Sequence, residues 1–245
     1  MKQAFKWNAY LAEALGTFLF FFIGIGAGYA VAGLLGQGAA SGLVIALAHG
    51  FALAVMVSAF GAVSGGHFNP AVTFGLLVAG KIDAVKSGGY VVAQLLAAIA
   101  AAALAFYIFS ERALPDGSAI TTTMAVPALG DGIDVLRGIV VEAVITMVLL
   151  VAVFGTAVDK RSAKIGGLAI GIAVVVGILM AGTLTGAAIN PARWFGPALV
   201  AGDFSNAIVW ILGPLLGATI VGVVYRLLFL PEAEEQEQAQ ETAAE

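Results

Sequence analysis

Apolar positions along this chain come in long blocks separated by short breaks rich in Gly, Ser, Pro and charge. Six blocks, near 9–33, 42–62, 88–110, 135–157, 165–184 and 206–229, reach the length of about 20 residues that a helix needs to cross hydrocarbon. Two further blocks, 69–79 and 190–200, are too short to cross, and each begins with Asn-Pro. Short interrupted segments at matching places in two halves of a chain point to half-helices that line a central path. The pattern therefore predicts an all-α membrane protein with six transmembrane helices and two re-entrant half-helices in an inverted repeat.

The repeat is visible in the polar exceptions. Glu13 and Thr17 in the first span answer to Glu142 and Thr146 in the fourth, and Asn69-Pro70-Ala71 answers to Asn190-Pro191-Ala192. The first repeat is read as 1–110 with its half-helix at 69–79, and the second as 135–230 with its half-helix at 190–200. An extracellular connection, 111–134, joins them. Three spans per half is an odd number, so the halves insert upside down and the half-helices meet near mid-membrane. With a cytoplasmic N-terminus, Lys2, Lys6, Lys81, Lys86, Lys160, Arg161, Lys164 and Arg226 all face the cytoplasm. Only Arg112 and Arg137 face outward, while Arg193 lies in a half-helix. This bias sets the orientation, with both termini cytoplasmic.

Composition agrees with a lipid setting. Of 245 residues, 61% are hydrophobic and 11% charged, against about 25% charged in soluble domains. Six of the fifteen carboxylates follow Pro231, so the net charge says little about partners. That acidic, Gln-rich segment, 231–245, is expected to be a disordered cytoplasmic tail. The apolar run from Leu15 continues past Ile25 without a small-residue cleavage motif, unlike a cleaved signal. There is no cysteine, which excludes disulfides and thiol catalysis. With two histidines and no metal-ligand spacing, neither an intramembrane enzyme, a metal nor a cofactor is expected, and nothing points to nucleic acid.

The chemistry centres on Ser64-Gly65-Gly66-His67-Phe68-Asn69-Pro70-Ala71 and Thr185-Gly186-Ala187-Ala188-Ile189-Asn190-Pro191-Ala192-Arg193. Asn is a good N-cap, and Pro suits the first helical turn, where its missing N–H goes unnoticed. One Asn-Pro-Ala triplet is most often an ordinary helix start. Two in inverted repeats, each after a Gly-containing loop, are far more specific. Glu13 and Glu142 are ionisable groups at membrane depth and hence functional candidates. Proton relay is one reading. The stronger one is that each carboxylate accepts N–H groups of the irregular loop before its half-helix, backbone that lipid cannot satisfy. Gly24, Gly26 and Gly28, Ala97, Ala98 and Ala101, and Gly213, Gly217 and Gly222 are read as close-packing positions within the bundle.

From Glu13 to Tyr225 the chain resembles the aquaporin, or major intrinsic protein, family. The resemblance implies that Asn69 and Asn190 donate amide N–H groups to a passing water at a pore centre built by Asn69, Pro70, Ala71, Asn190, Pro191 and Ala192. Two half-helices would aim their positive ends at that centre. A water turned oxygen-first toward both amides points its hydrogens away in both directions. That breaks the proton wire, and the positive ends repel cations. The resemblance also implies a homotetramer and a selectivity filter of His49, Ile178, Ala187 and Arg193. Helical rise agrees in depth. Arg193 lies about 4.5 Å outward of Asn190, Ile178 about 20 Å into its span, and His49 about 10 Å into its own. A lone helical His is often only a satisfied core group, but its offset from Asn69 matches the filter position.

An aromatic in place of His49 and a His in place of Ile178 would mark an orthodox water-only member. This set looks more like the tonoplast-intrinsic branch, which passes water and small solutes such as ammonia. Glycerol channels carry an Asp after the filter Arg, where this chain has Trp194; Ala198 also fits the water branch, whereas Ile211 departs from its usual Trp. The expected function is passive passage of water, ammonia and hydrogen peroxide with exclusion of protons and ions. The alternative is a glycerol or broad small-solute facilitator. An adhesive junction protein would need long outer loops, and the stretch Gly33–Ser41 is short. His49 is expected to make flux acid-sensitive from outside, with His67, at the inner vestibule, as the rival sensor.

Overall fold

The computed structural model describes residues 7–35 and 39–230. The acidic segment 231–245 and residues Lys2 and Lys6 lie outside the described residues. Among the described residues eight α-helices follow in order: α1 (Trp7–Leu35), α2 (Ala39–Ser64), α3 (Pro70–Val78), α4 (Ala84–Phe109), α5 (Val135–Val153), α6 (Gly166–Thr185), α7 (Pro191–Ala201) and α8 (Ile208–Val224). Six are long and apolar enough to cross a membrane; α3 and α7, of 9 and 11 residues, are not. This is the expected all-α architecture, with boundaries shifted by a few residues. The fourth and sixth spans end in π-helical turns, Phe154–Val158 and Tyr225–Phe229. The connection 111–134 carries a 3-10 turn, Thr122–Ala125.

The spans turn apolar side chains outward and polar ones inward. On α1, Leu11, Leu15, Leu19 and Ile23 are exposed, a stripe at the four-residue spacing of one helix face. Glu13 and Thr17, between them, are fully buried. A soluble helix would do the reverse; here lipid takes the place of water as the outer solvent.

Within each half, the first span packs on the two that follow: α1 on α2 and α4, and α5 on α6 and α8. The half-helices cross over. α3 packs chiefly against α8 and α7 chiefly against α4, so each is seated on a span of the other half. Small residues make these crossings close. A Cβ at Gly222 of α8 would lie 2.6 Å from the Gly75 carbonyl oxygen of α3, and one at Gly196 of α7 would lie 2.5 Å from that of Ala98 on α4. Either methyl group would push a half-helix out of place, which is the packing use of small residues expected between membrane helices.

Candidate functional site

The two half-helices begin alike. Asn69 Oδ1 accepts from Ala71 N–H at 2.8 Å, and Asn190 Oδ1 accepts from Ala192 N–H at 2.9 Å. Pro70 and Pro191 hold the first helical position. Each cap uses only the side-chain oxygen, which leaves two amide hydrogens per Asn. One of them crosses to the opposite repeat. Asn69 Nδ2 donates to the Ile189 carbonyl at 3.2 Å, and Asn190 Nδ2 donates to the Phe68 carbonyl at 2.9 Å. Each amide keeps a second hydrogen that these bonds do not use.

The residues before the asparagines have left-handed backbone: Phe68 at φ 47° and Ile189 at φ 59°. That conformation is unfavourable for bulky side chains, and most so for a β-branched one. It costs on the order of 1–3 kcal/mol per residue. Buried carboxylates offset it. Glu13 Oε1 accepts from Ser64 Oγ at 2.7 Å and His67 N–H at 2.9 Å; its Oε2 accepts from Phe68 N–H at 2.7 Å and Gln94 Nε2 at 2.8 Å. Glu142 repeats the plan. Its Oε1 accepts from Thr185 Oγ1 at 2.6 Å and Ala188 N–H at 2.9 Å, and its Oε2 from Ile189 N–H at 2.8 Å. Both carboxylates are fully buried behind the loops and do not border the channel cavity. That position favours loop support over proton relay.

Several supporting residues were not singled out from the sequence. Ser64 and Thr185 occupy matching places, five residues before each Asn, and each caps its loop through a side-chain oxygen that accepts a backbone N–H, from Gly66 and Ala187 respectively. Tyr90 Oη donates to the Ser64 carbonyl at 2.7 Å, and Trp210 Nε1 to the Thr185 carbonyl at 2.9 Å. The repeated hydroxyl at fixed spacing was a signal available in the sequence; Tyr90 and Trp210 share no residue type and offered none.

One narrow cavity runs between the spans. His49, Ile178, Ala187 and Arg193 line it together with Asn69 and Asn190. Much of the remaining wall is apolar, with Leu53, Val72, Leu149 and Val174 among it. Of the two Asn-Pro-Ala triplets only the asparagines border the cavity; Ala71 and Ala192 are fully buried where the half-helices abut. Arg193 Nη1 donates to the Ala125 carbonyl at 2.8 Å, so the connection 111–134 reaches into the site. His49 Nδ1 lies 2.9 Å from the Ile45 carbonyl. A carbonyl can only accept, so Nδ1 carries the proton and neutral His49 keeps Nε2 as an acceptor.

At the other end the cavity meets a vestibule of about 220 Å³ bordered by His67, Lys81, Lys86 and Val158. His67 borders both spaces. Its Nδ1 is 3.1 Å from Thr73 Oγ1, and its ring meets Tyr90 edge-on at 5.1 Å. Arg226 Nη1 donates to the Val78 carbonyl, at the end of α3, at 3.1 Å.

The sequence matches the Major intrinsic protein family over residues 1–225. The chain belongs to that family. Among the relatives of this major intrinsic protein is "Aquaporin TIP4-4" of Zea mays, 45% identical over 231 residues, covering 92% of this chain and 88% of the relative. Another is "Aquaporin TIP2-1" of Arabidopsis thaliana, 43% identical over 233 residues, covering 93% and 89%. Among solved structures, the aquaglyceroporin from Plasmodium falciparum superposes with a TM-score of 0.76 at 23% identity, covering 94% of this chain and 99% of that one. At that identity the likeness speaks to the fold. The family and the six apolar helices make the chain an integral, multi-pass membrane channel protein.

Proposed function

We propose that this channel passes water, ammonia and hydrogen peroxide, passes glycerol slowly, and excludes protons and ions. The observation that carries the reading is the pair of asparagine amides at the junction of two half-helix N-termini. Each has one hydrogen committed to the opposite repeat and one left for the lumen. A water there accepts from both sides and turns its own hydrogens away, which interrupts proton hopping, and the positive helix ends repel cations. The plant relatives, which are aquaporins, support a water pore.

His49, Ile178, Ala187 and Arg193 are the constriction in this reading. Arg193 supplies donors, and Ile178 and Ala187 supply an apolar wall without donors. Ammonia is close to water in size and accepts from Arg193. Stopped-flow measurements on proteoliposomes should therefore give water and ammonia fluxes well above empty liposomes and glycerol flux near background. Ammonia flux at the empty-liposome level would remove the ammonia claim and leave the water claim standing.

A thiol reagent probes the constriction directly. The chain has no cysteine, so mercuric ion should leave the wild-type flux unchanged. Ala187 borders the cavity beside Arg193, and Ala187→Cys should make the flux mercury-sensitive and recoverable with a reducing thiol. Block of the wild-type protein, reversed by thiols, would count against this assignment.

Lys81 and Lys86 border the vestibule, and Arg226 donates to the Val78 carbonyl at the end of α3; in this reading theirs is the cytoplasmic end, by the positive-inside rule. Both termini are then cytoplasmic, and the assembly is a homotetramer as in the family. His67 is the acid sensor in this reading, because it borders the vestibule while the Nε2 edge of His49 is turned toward Gly24 of α1. Burial and then the nearby Lys86 push the His67 imidazole down to about 3, so water flux should stay level as the vestibule side is acidified from about pH 8 to 4.5 and fall only in more acid solution, and His67→Ala should remove that fall. A response that survives in His67→Ala and disappears in His49→Ala would return the sensor to the outer constriction.

A further inference from the structure

Gly24, Gly26 and Gly28 follow one another on α1, and close packing is the plain expectation for all three. The structure separates them. A Cβ at Gly26 would come no nearer than 3.6 Å to Phe109 Cε2, and one at Gly28 no nearer than 3.9 Å to Ile45 Cδ1. These are ordinary contacts. A Cβ at Gly24 would lie 2.4 Å from both Cδ2 and Nε2 of His49 and 2.7 Å from its Cε1, far inside contact distance. Phe20, one turn earlier on the same face of α1, borders the channel and meets the His49 ring edge-on at 6.0 Å. Gly24 is thus the wall directly behind the imidazole.

The ring has little freedom to yield. Nδ1 is tied to the Ile45 carbonyl at 2.9 Å, Phe20 flanks it, and only 2% of the residue is exposed. The side left open is the cavity it shares with Ile178, Ala187 and Arg193. We infer that Gly24 is a specificity-determining position of the constriction: its missing side chain forms the recess that holds His49 back, and so sets the clear width between His49 and Arg193. The inference rests on the reading of His49 as a constriction residue. Pore diameter is a main determinant of what such channels pass. A displacement comparable to one methyl group is therefore enough to matter.

The test is a double-mutant cycle in proteoliposomes with water and ammonia as probes. Gly24→Ala should lower water flux at least about fivefold and ammonia flux more, because narrowing acts on the constriction. In the His49→Ala background the same change should alter either flux less than about twofold, because the clashing ring is gone. Gly28→Ala, on the same helix, should behave as wild type. Wild-type fluxes in Gly24→Ala would overturn the inference, and so would equal losses in both backgrounds, which mark general damage to α1. If His49→Ala changes the ammonia-to-water ratio and Gly24→Ala does not, the recess fails and the constriction reading survives. If neither changes it, both fail.

A second measurement does not depend on the folding of Gly24→Ala. With the ring removed, position 24 should face the lumen, and the chain supplies no other thiol. The Gly24→Cys/His49→Ala protein should be blocked by mercuric ion and released by a reducing thiol. A folded double variant whose flux ignores mercury would overturn the inference.

Discussion

Glu142→Ala is expected to abolish the folded channel. The carboxylate accepts from Thr185 Oγ1, Ala188 N–H and Ile189 N–H. Its loss strands three buried donors, at about 1–3 kcal/mol each, while whole domains are stable by only about 5–15 kcal/mol. It also releases the support for Ile189, held at φ 59°. Glu142→Gln should be intermediate. Its carbonyl oxygen can keep the two bonds made to Oε1, while its amide nitrogen turns donors toward Ile189 N–H. Thermal aggregation in detergent, with water flux on whatever protein remains, gives the order wild type, Gln, Ala. A Glu142→Ala protein with wild-type melting and flux would refute the loop-support role.

Asn190→Asp should turn a cation-excluding pore into a leaky one. The side-chain oxygen that accepts from Ala192 N–H is retained, so the cap survives. The donor to the Phe68 carbonyl at 2.9 Å is replaced by an oxygen facing an oxygen, and a negative charge is placed at the junction of two positive helix ends. We expect sodium permeability to rise about tenfold or more as that electrostatic barrier is cancelled. Asn190→Ala separates the two effects. It removes the bond to Phe68, and the cap on α7 with it, without adding charge, so water flux should fall with no cation leak. A folded Asn190→Asp channel with unchanged water flux and no leak would sink the electrostatic account of exclusion.

The sequence by itself determined the spans, the half-helices and their caps, because each depends on local properties. The length of an apolar run decides whether a helix crosses lipid. Asn before Pro begins a helix wherever it sits. Carboxylates at membrane depth must find donors, and the irregular loops before Asn69 and Asn190 were the nearest unsatisfied backbone. Even so, part of each loop's support came from Ser64 and Thr185, whose shared spacing was legible, and from Tyr90 and Trp210, whose chemistry was not shared.

Only the tertiary structure decided what crosses between the halves. That each half-helix rests on a span of the opposite repeat, and that each asparagine donates to a carbonyl about 120 residues away, follows from how two inverted units interlock. Hydropathy carries no record of such pairings. The hold of the Ala125 carbonyl on Arg193 was equally hidden, since a backbone acceptor in a connecting loop has no side-chain signature. Gly24 is the sharpest case. In the sequence it is one of three similar glycines, and what distinguishes it is the imidazole of another helix lying 2.4 Å from where its Cβ would be. An absent side chain acquires meaning only from the neighbour that occupies its space.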